Sequence, residues 1–173
     1  MPLFCVSVPA VSLEAHKPGS VSAGRRRVAR PVSRYELEFY EDAGGDQPVL
    51  RWLREELTAT QRRAIGVAMA EILQVEGIAV CRTGYGKQLG GGLFEFRLRH
   101  DAAEILRSVG KPAQAEPGGE RILLRVFCHA HGDRLVLLLG GYDKGADPNP
   151  RRQQREIATA RKRLADFKRR ARD

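Results

Sequence analysis

A chain of 173 residues, 42% of them hydrophobic, is long and apolar enough for one domain around one core and too apolar for a wholly disordered polypeptide. Its 30 Lys/Arg outnumber 21 Asp/Glu, for a formal net charge of +9. The apolar run Leu135 to Leu139 falls far short of the roughly 18 to 20 residues of a membrane span, so a soluble chain with no membrane partner is expected.

The charge excess sits at the ends. Residues 1–34 hold six Lys/Arg against one acid and residues 151–173 hold ten against three, whereas residues 35–150 hold fourteen against seventeen. Such ends imply a polyanionic partner, or an acidic protein that masks the same surface. The apolar start, Met1 to Leu13, lacks the basic leader of a signal peptide, since its arginines come afterwards. Cys5, Cys81 and Cys128 are scattered and odd in number, which indicates neither a disulfide framework nor a Cys-x-x-Cys metal site. A cytoplasmic location fits these features.

Residues 1–33 contain Pro, Ser, Gly and an Arg25–Arg27 run without periodicity, and read as a disordered basic extension ahead of a domain over 34–173. From Tyr35 to Asp42 the chain alternates and is rich in aromatics, predicting a first strand with Leu37 and Phe39 on one face. Asp46 is then placed to cap a helix over about 48–57, with Pro48 in its first turn. Its stripe is Val49, Leu50, Leu53 and Leu57, with Trp52 nearby. Thr58 and Gln61 have capping-box spacing and open a second helix over about 59–76. Its inward residues are Ile65, Ala68, Met69, Ile72 and Leu73, and Gly77 ends it.

Lys87 precedes a glycine-rich turn and a second strand over about 92–99. Period-2 alternation there puts Glu95, Arg97 and Arg99 on one face and Phe94, Phe96 and Leu98 on the other. Residues 102–108 suit a short helical turn, and Gly110 to Gly119 read as a flexible loop. A third strand turns Ile122, Leu124, Val126 and Cys128 one way and Arg125, Phe127 and His129 the other. The turn at 130–133 returns it as a fourth strand ending near Tyr142. Asn149 and Pro150 open a last helix with a buried stripe of Ile157, Ala160, Leu164, Phe167 and Ala171. The order strand, two helices, three strands, helix gives an α+β fold. It predicts a small antiparallel-rich sheet with the helical hairpin on one face and the other face left open.

On that open face Arg97, Arg99 and Arg125 would meet, with Lys87 before and Tyr142 and Lys144 after. Gathered cations repel one another unless an anion sits among them, and phosphate suits bidentate Arg and point-charge Lys. His129 shares the predicted face of Arg125, on the RNA-binding side with Arg99; it is either a general base near neutral pH or an idle, exposed strand-end histidine. Cys128, His129 and His131 point to opposite sides of a strand and lack a completing cluster, so no metal is expected.

Taken in order, GKQLGGGLFEFRLR (86–99) and the segment from Arg121 to Phe167 resemble the RelE/ParE superfamily of toxins from toxin-antitoxin systems, in its phage-related HigB-like branch. The shared features are a K-x-L before a glycine-rich turn, a Glu- and Arg-bearing strand, an R-V strand and an aromatic-x-K after the last strand. A closing pattern follows, here Glu156, Ile157, Ala160, Arg163, Asp166 and Phe167. The resemblance covers residues 35–168 and implies a RelE-like fold and a ribosome-dependent mRNA endonuclease that cuts without metal or cofactor.

It implies Lys87 as phosphate contact or base, Arg97 as transition-state stabiliser and Arg125 as a grip on the RNA backbone. It likewise implies Tyr142 as a base-stacking platform, Lys144 as acid or phosphate ligand, and Glu95 as the group that orients Arg97 or Arg99. Expected partners are mRNA, the ribosome and a cognate antitoxin, for this branch usually of helix-turn-helix type. Two other functions fit the same superfamily or charge: a ParE-like inhibitor of DNA gyrase without nuclease activity, and a non-enzymatic RNA or ribosome binder acting through residues 151–172. The chain departs from the branch at Gly145, where a second lysine is usual, in a longer loop after strand two, and in its basic extension.

Overall fold

The computed structural model describes residues 35–110 and 121–172. The expected extension at 1–33 and most of the Gly110 to Gly119 loop lie outside the described residues. The fold is α+β, with a five-stranded, mostly antiparallel sheet in the order β1-β5-β4-β3-β2. Its strands are β1 (Glu36–Phe39), β2 (Gly86–Gly90), β3 (Leu93–Arg97), β4 (Leu124–His131) and β5 (Leu135–Asp143). Helices α1 (Pro48–Glu55) and α2 (Ala59–Ala68) follow β1, α4 (Ala102–Ser108) follows β3, and α5 (Pro150–Arg170) closes the chain.

The helical hairpin forms for the expected reasons. Thr58 and Gln61 make a reciprocal capping box, and Ile65, Ala68 and Leu73 are at most 1% exposed. Beyond Ala68 the helix widens into a π-helical turn (Met69–Leu73) and then runs on as α3 (Gln74–Glu76). Gly77, at φ 53°, ends that helix and starts a 3-10 turn, Gly77–Arg82. The joined stretch Ala59–Arg82 has an 18-residue window of mean hydropathy 1.7, long and apolar enough by composition to cross a membrane. The expectation that no stretch reaches that length is therefore corrected. Within the domain this stretch behaves as a core helix, burying Ile65, Ala68, Leu73 and Val80 against the sheet. At α1 the capping position is Gln47, whose side chain makes no capping bond, and Asp46 instead pairs with Arg51, so Asp46 is not the cap. Trp52, not Leu50, joins Val49 in the core.

Two further expectations change. The three glycines do not merely precede a strand: Gly90, Gly91 and Gly92 all take positive φ (78°, 65° and 81°), a left-handed run that L side chains avoid. They turn β2 into β3, so Lys87 lies on a strand of its own, opposite Glu95. That hairpin makes four strands between the helical hairpin and α5. In addition, the face expected to stay open is covered by α5. Phe94, Phe96, Leu98, Ile122, Leu124, Val126 and Cys128 face the helical hairpin as alternation requires. Leu93, Phe127, Leu137, Leu139 and Tyr142 face Ala160 and Leu164 of α5. Of the predicted α5 stripe, Ile157 and Phe167 pack at its margin, while Ala171 is exposed. An apolar stripe on a final helix cannot stay in water while a sheet offers an apolar face, which is why α5 folds back.

Candidate functional site

Strand register decides which charged side chains meet. Lys87 pairs with Glu95, and Glu95 with Phe127; one step along the face, Arg97 pairs with Arg125, and Arg125 with Tyr142. A shift in the β4–β5 register between Phe127 and Cys128 inserts an extra β5 residue. This bulge keeps Tyr142 on the α5 face although Leu137 and Leu139 already point there. Lys87, Glu95, Arg97, Arg125 and Tyr142 therefore occupy one patch across four strands.

At its centre Arg125 Nε lies 3.2 Å from Glu95 Oε1, with side chains 7% and 1% exposed. The same Glu95 oxygen accepts from Gln153 Nε2 at 3.2 Å, and Gln153 Oε1 accepts from Lys144 Nζ at 3.2 Å. Gln153, on the first turn of α5, is thus bonded at one end to a carboxylate and at the other to an ammonium. A glutamine amide suits this place because it donates at nitrogen and accepts at oxygen. The loop carrying Lys144 is set by Asp143, whose Oδ1 accepts from the Gly145 and Ala146 amides at 2.7 and 3.2 Å. Its Oδ2 accepts from Gln61 Nε2 at 2.8 Å, so the buried capping-box glutamine of α2 also holds this loop. The Lys144 amide donates to the Leu123 carbonyl at 2.8 Å.

The exposed members are Lys87 and Arg99, with Arg97 and Lys144 half-buried. Arg97 Nη2 donates to the Gly86 carbonyl at 2.7 Å, fixing the side chain over β2. Burial first, then the charge of Arg99, pulls the Arg97 guanidinium below its ordinary range; arginine nonetheless stays charged at neutral pH. Arg125 is also lowered by burial, against the opposing pull of Glu95. Its Nη1 donates to the Leu98 and Leu124 carbonyls at 3.4 and 3.2 Å. The expected direct grip of Arg125 on RNA does not fit this placement: its head group is turned inward, at 5% residue exposure.

Tyr142 is likewise not free to stack on a base. Its ring lies against Phe127 at 6.1 Å with an interplanar angle of 8°, and its buried hydroxyl has no hydrogen-bond partner among the described residues. Burial, and then Glu95, push the phenol up to about 12. His129 is neither exposed nor at the patch. It stands at the level of Leu93, four residues along β4 from Arg125, roughly 13 Å at the strand rise. Its Nδ1 bonds the Gly92 carbonyl at 2.8 Å, and burial lowers its pKa despite that bond.

Glu95, Lys87, Arg97, Arg125, Tyr142 and Lys144 are thus brought together, Arg99 flanks them, and His129 stands apart. Sequence reading missed Gln153 and, for Gln61, saw the capping box but not the bond to Asp143. Nothing in their neighbours marks these contacts, since each is made across the fold to a residue far away in the chain. No protein-family model matches the chain, and no curated protein matches it.

Proposed function

We propose that this chain is a toxin of the RelE/ParE superfamily, HigB-like branch, that cuts translated mRNA on the ribosome by metal-free attack of the 2′-hydroxyl. The observation that carries the reading is the charge imbalance of the patch. Lys87, Arg97, Arg99, Arg125 and Lys144 gather about Glu95, which is already engaged by Arg125 and Gln153, and they outnumber the carboxylates even with Glu156 and Asp147 at the patch margin. A bound phosphodiester supplies the missing negative charge. The order of elements, with the helical hairpin on one sheet face, is compatible with a RelE-like fold.

In the reaction the 2′-oxygen bonds to phosphorus while the P–O5′ bond breaks, leaving a 2′,3′-cyclic phosphate and a 5′-hydroxyl. The 2′-hydroxyl proton must leave and the 5′-oxygen must gain one. Arg97 and Arg99 stabilise the charge that builds on the phosphorane oxygens. Lys144, steered by Gln153, donates to the leaving oxygen, and Lys87 holds the phosphate or, when neutral, takes the 2′-proton. Arg125 and Glu95 act from below by fixing the strand face, and Tyr142 fills space beside them. A cytoplasmic location, the ribosome and a small helix-turn-helix antitoxin belong to the same proposal.

Induced expression with mapping of message 5′ ends tests it, with wild type compared against Arg97→Ala. Cuts in frame within coding regions for wild type, and none for the variant, are the expected result. Growth arrest with intact messages would replace it with gyrase inhibition.

A further inference from the structure

The outward face of α5 is a second charged surface, separate from the patch beneath that helix. Arg151, Arg155, Ala158, Lys162, Ala165 and Arg169 recur at steps of four and three, and all six are exposed. This is the side opposite Ala160 and Leu164, which are buried on the sheet. The stripe holds cations and alanines and no carboxylate. The carboxylates of α5 lie on its flanks and are engaged: Glu156 by Arg152 at 2.8 Å, and Asp166 by Arg169, Arg170 and Tyr40. Among the described residues the side chains of Arg151, Arg155 and Lys162 have no ion pair or hydrogen bond.

We propose that this stripe is a docking track for the phosphate backbone of double-stranded RNA. At about 1.5 Å per residue its unpaired cations run roughly 17 Å from Arg151 to Lys162, and Arg169, paired with Asp166, lies beyond them. The alanines between the cations leave the helix surface smooth enough to lie close against a duplex. Its cations are spaced along one helix face as phosphate contacts require, and such contacts fix a protein on a duplex through backbone and shape. The wide, shallow minor groove of A-form RNA, bordered by phosphates, accepts such a face; sequence reading in B-DNA needs side chains that enter the major groove. This binding does not require cleavage, so it stands or falls separately from the nuclease reading.

The test uses the full-length chain and a fully paired, fluorescently labelled RNA duplex of about 16 base pairs, with anisotropy followed from about 50 to 200 mM salt. Replacing Arg151, Arg155 and Lys162 together by Gln should weaken binding about 10- to 100-fold and reduce the log–log salt slope by about two to three. Glutamine keeps helix propensity, so an unchanged thermal melt should accompany the loss. A control of equal charge change, Arg54→Gln with Arg82→Gln and Arg107→Gln, should alter affinity by less than about 3-fold. Equal losses in both triple variants, an unchanged salt slope, or a DNA duplex of the same length bound as tightly, would each overturn the assignment.

Discussion

Glu95 and Arg125, on neighbouring strands, form an ion pair inside the domain, with Arg125 Nε 3.2 Å from Glu95 Oε1 and both side chains under one-tenth exposed. Taking two charges out of water costs several kcal/mol per ion, which their attraction and the added hydrogen bonds offset. Removing one partner leaves the other charged, buried and unpaired. Glu95→Ala should therefore lower stability by about 3–5 kcal/mol in urea titration, while Glu95→Leu combined with Arg125→Met should recover most of that loss. Equal instability of the single and double variants would mean that packing, not charge, dominates here.

Gln153 bonds Glu95 and Lys144 at its two ends. Gln153→Ala should free the Lys144 ammonium and slow single-turnover RNA cleavage about 10- to 100-fold, with substrate affinity little changed, since it removes positioning and not binding charge. Gln153→Glu should be worse, because it sets a second carboxylate against Glu95. A fall in affinity with an unchanged cleavage step would contradict this role.

Tyr142→Phe separates the structure from the role that resemblance implies. The hydroxyl is buried, unpartnered and pushed up to about 12, so it neither transfers protons near neutral pH nor holds a neighbour. Cleavage should stay within about 2-fold of wild type, and stability should be unchanged or up to about 1 kcal/mol higher, since a lone buried hydroxyl is lost. Abolished cutting by a folded variant would return Tyr142 to the chemistry.

His129 carries a pH signature of its own. Burial lowers its folded pKa below the ordinary 6.5, against the Gly92 hydrogen bond. Between the folded value and 6.5 the unfolded chain binds more proton than the folded one, so stability rises with pH across that window. The contribution is complete above about 6.5 and is lost as pH falls through the folded value. The neighbours Lys168 and His131 push the same way. Thermal melts from pH 5 to 8 should show this slope in wild type and a shallower one in His129→Gln.

Gly141 lies against the indole of Trp52: a Cβ built there would overlap the ring atoms Cζ3 and Cε3. Trp52 is 5% exposed and packed in the core, so it has little room to retreat. Gly141→Ala should cost about 1–3 kcal/mol by overpacking, read from the denaturant midpoint. Gly84→Ala, where a Cβ meets nothing, should cost far less.

Local pattern was enough for much of the fold. Alternation along β3 and β4 assigned Phe94, Phe96, Val126 and Cys128 to the helical side, and Glu95, Arg97 and Arg125 to the other, as observed. Capping chemistry at Thr58/Gln61 and at Asn149, which accepts from the Arg151 amide at 2.9 Å, marked two helix starts. These signals are legible because each arises among residues within a few positions of one another, where backbone geometry alone sets what can meet. Lys87 was harder to place. A five-residue strand that begins and ends in glycine carries little periodicity, and only pairing with β3 makes Gly86–Gly90 a strand.

What the amino-acid order determined by itself is therefore which side chains share a face and where helices begin. Tertiary structure alone decided that α5 would cover the charged face, that β1 would pair parallel to β5, and that Gln153 would join Glu95 to Lys144. The reason is physical. Facing is set by dihedral periodicity within one element, whereas coverage depends on which distant apolar surface an element finds once the chain has collapsed. That choice turned a patch expected to lie open into one where Glu95, Arg125 and Tyr142 are buried and Lys87, Arg97, Arg99 and Lys144 remain within reach of solvent.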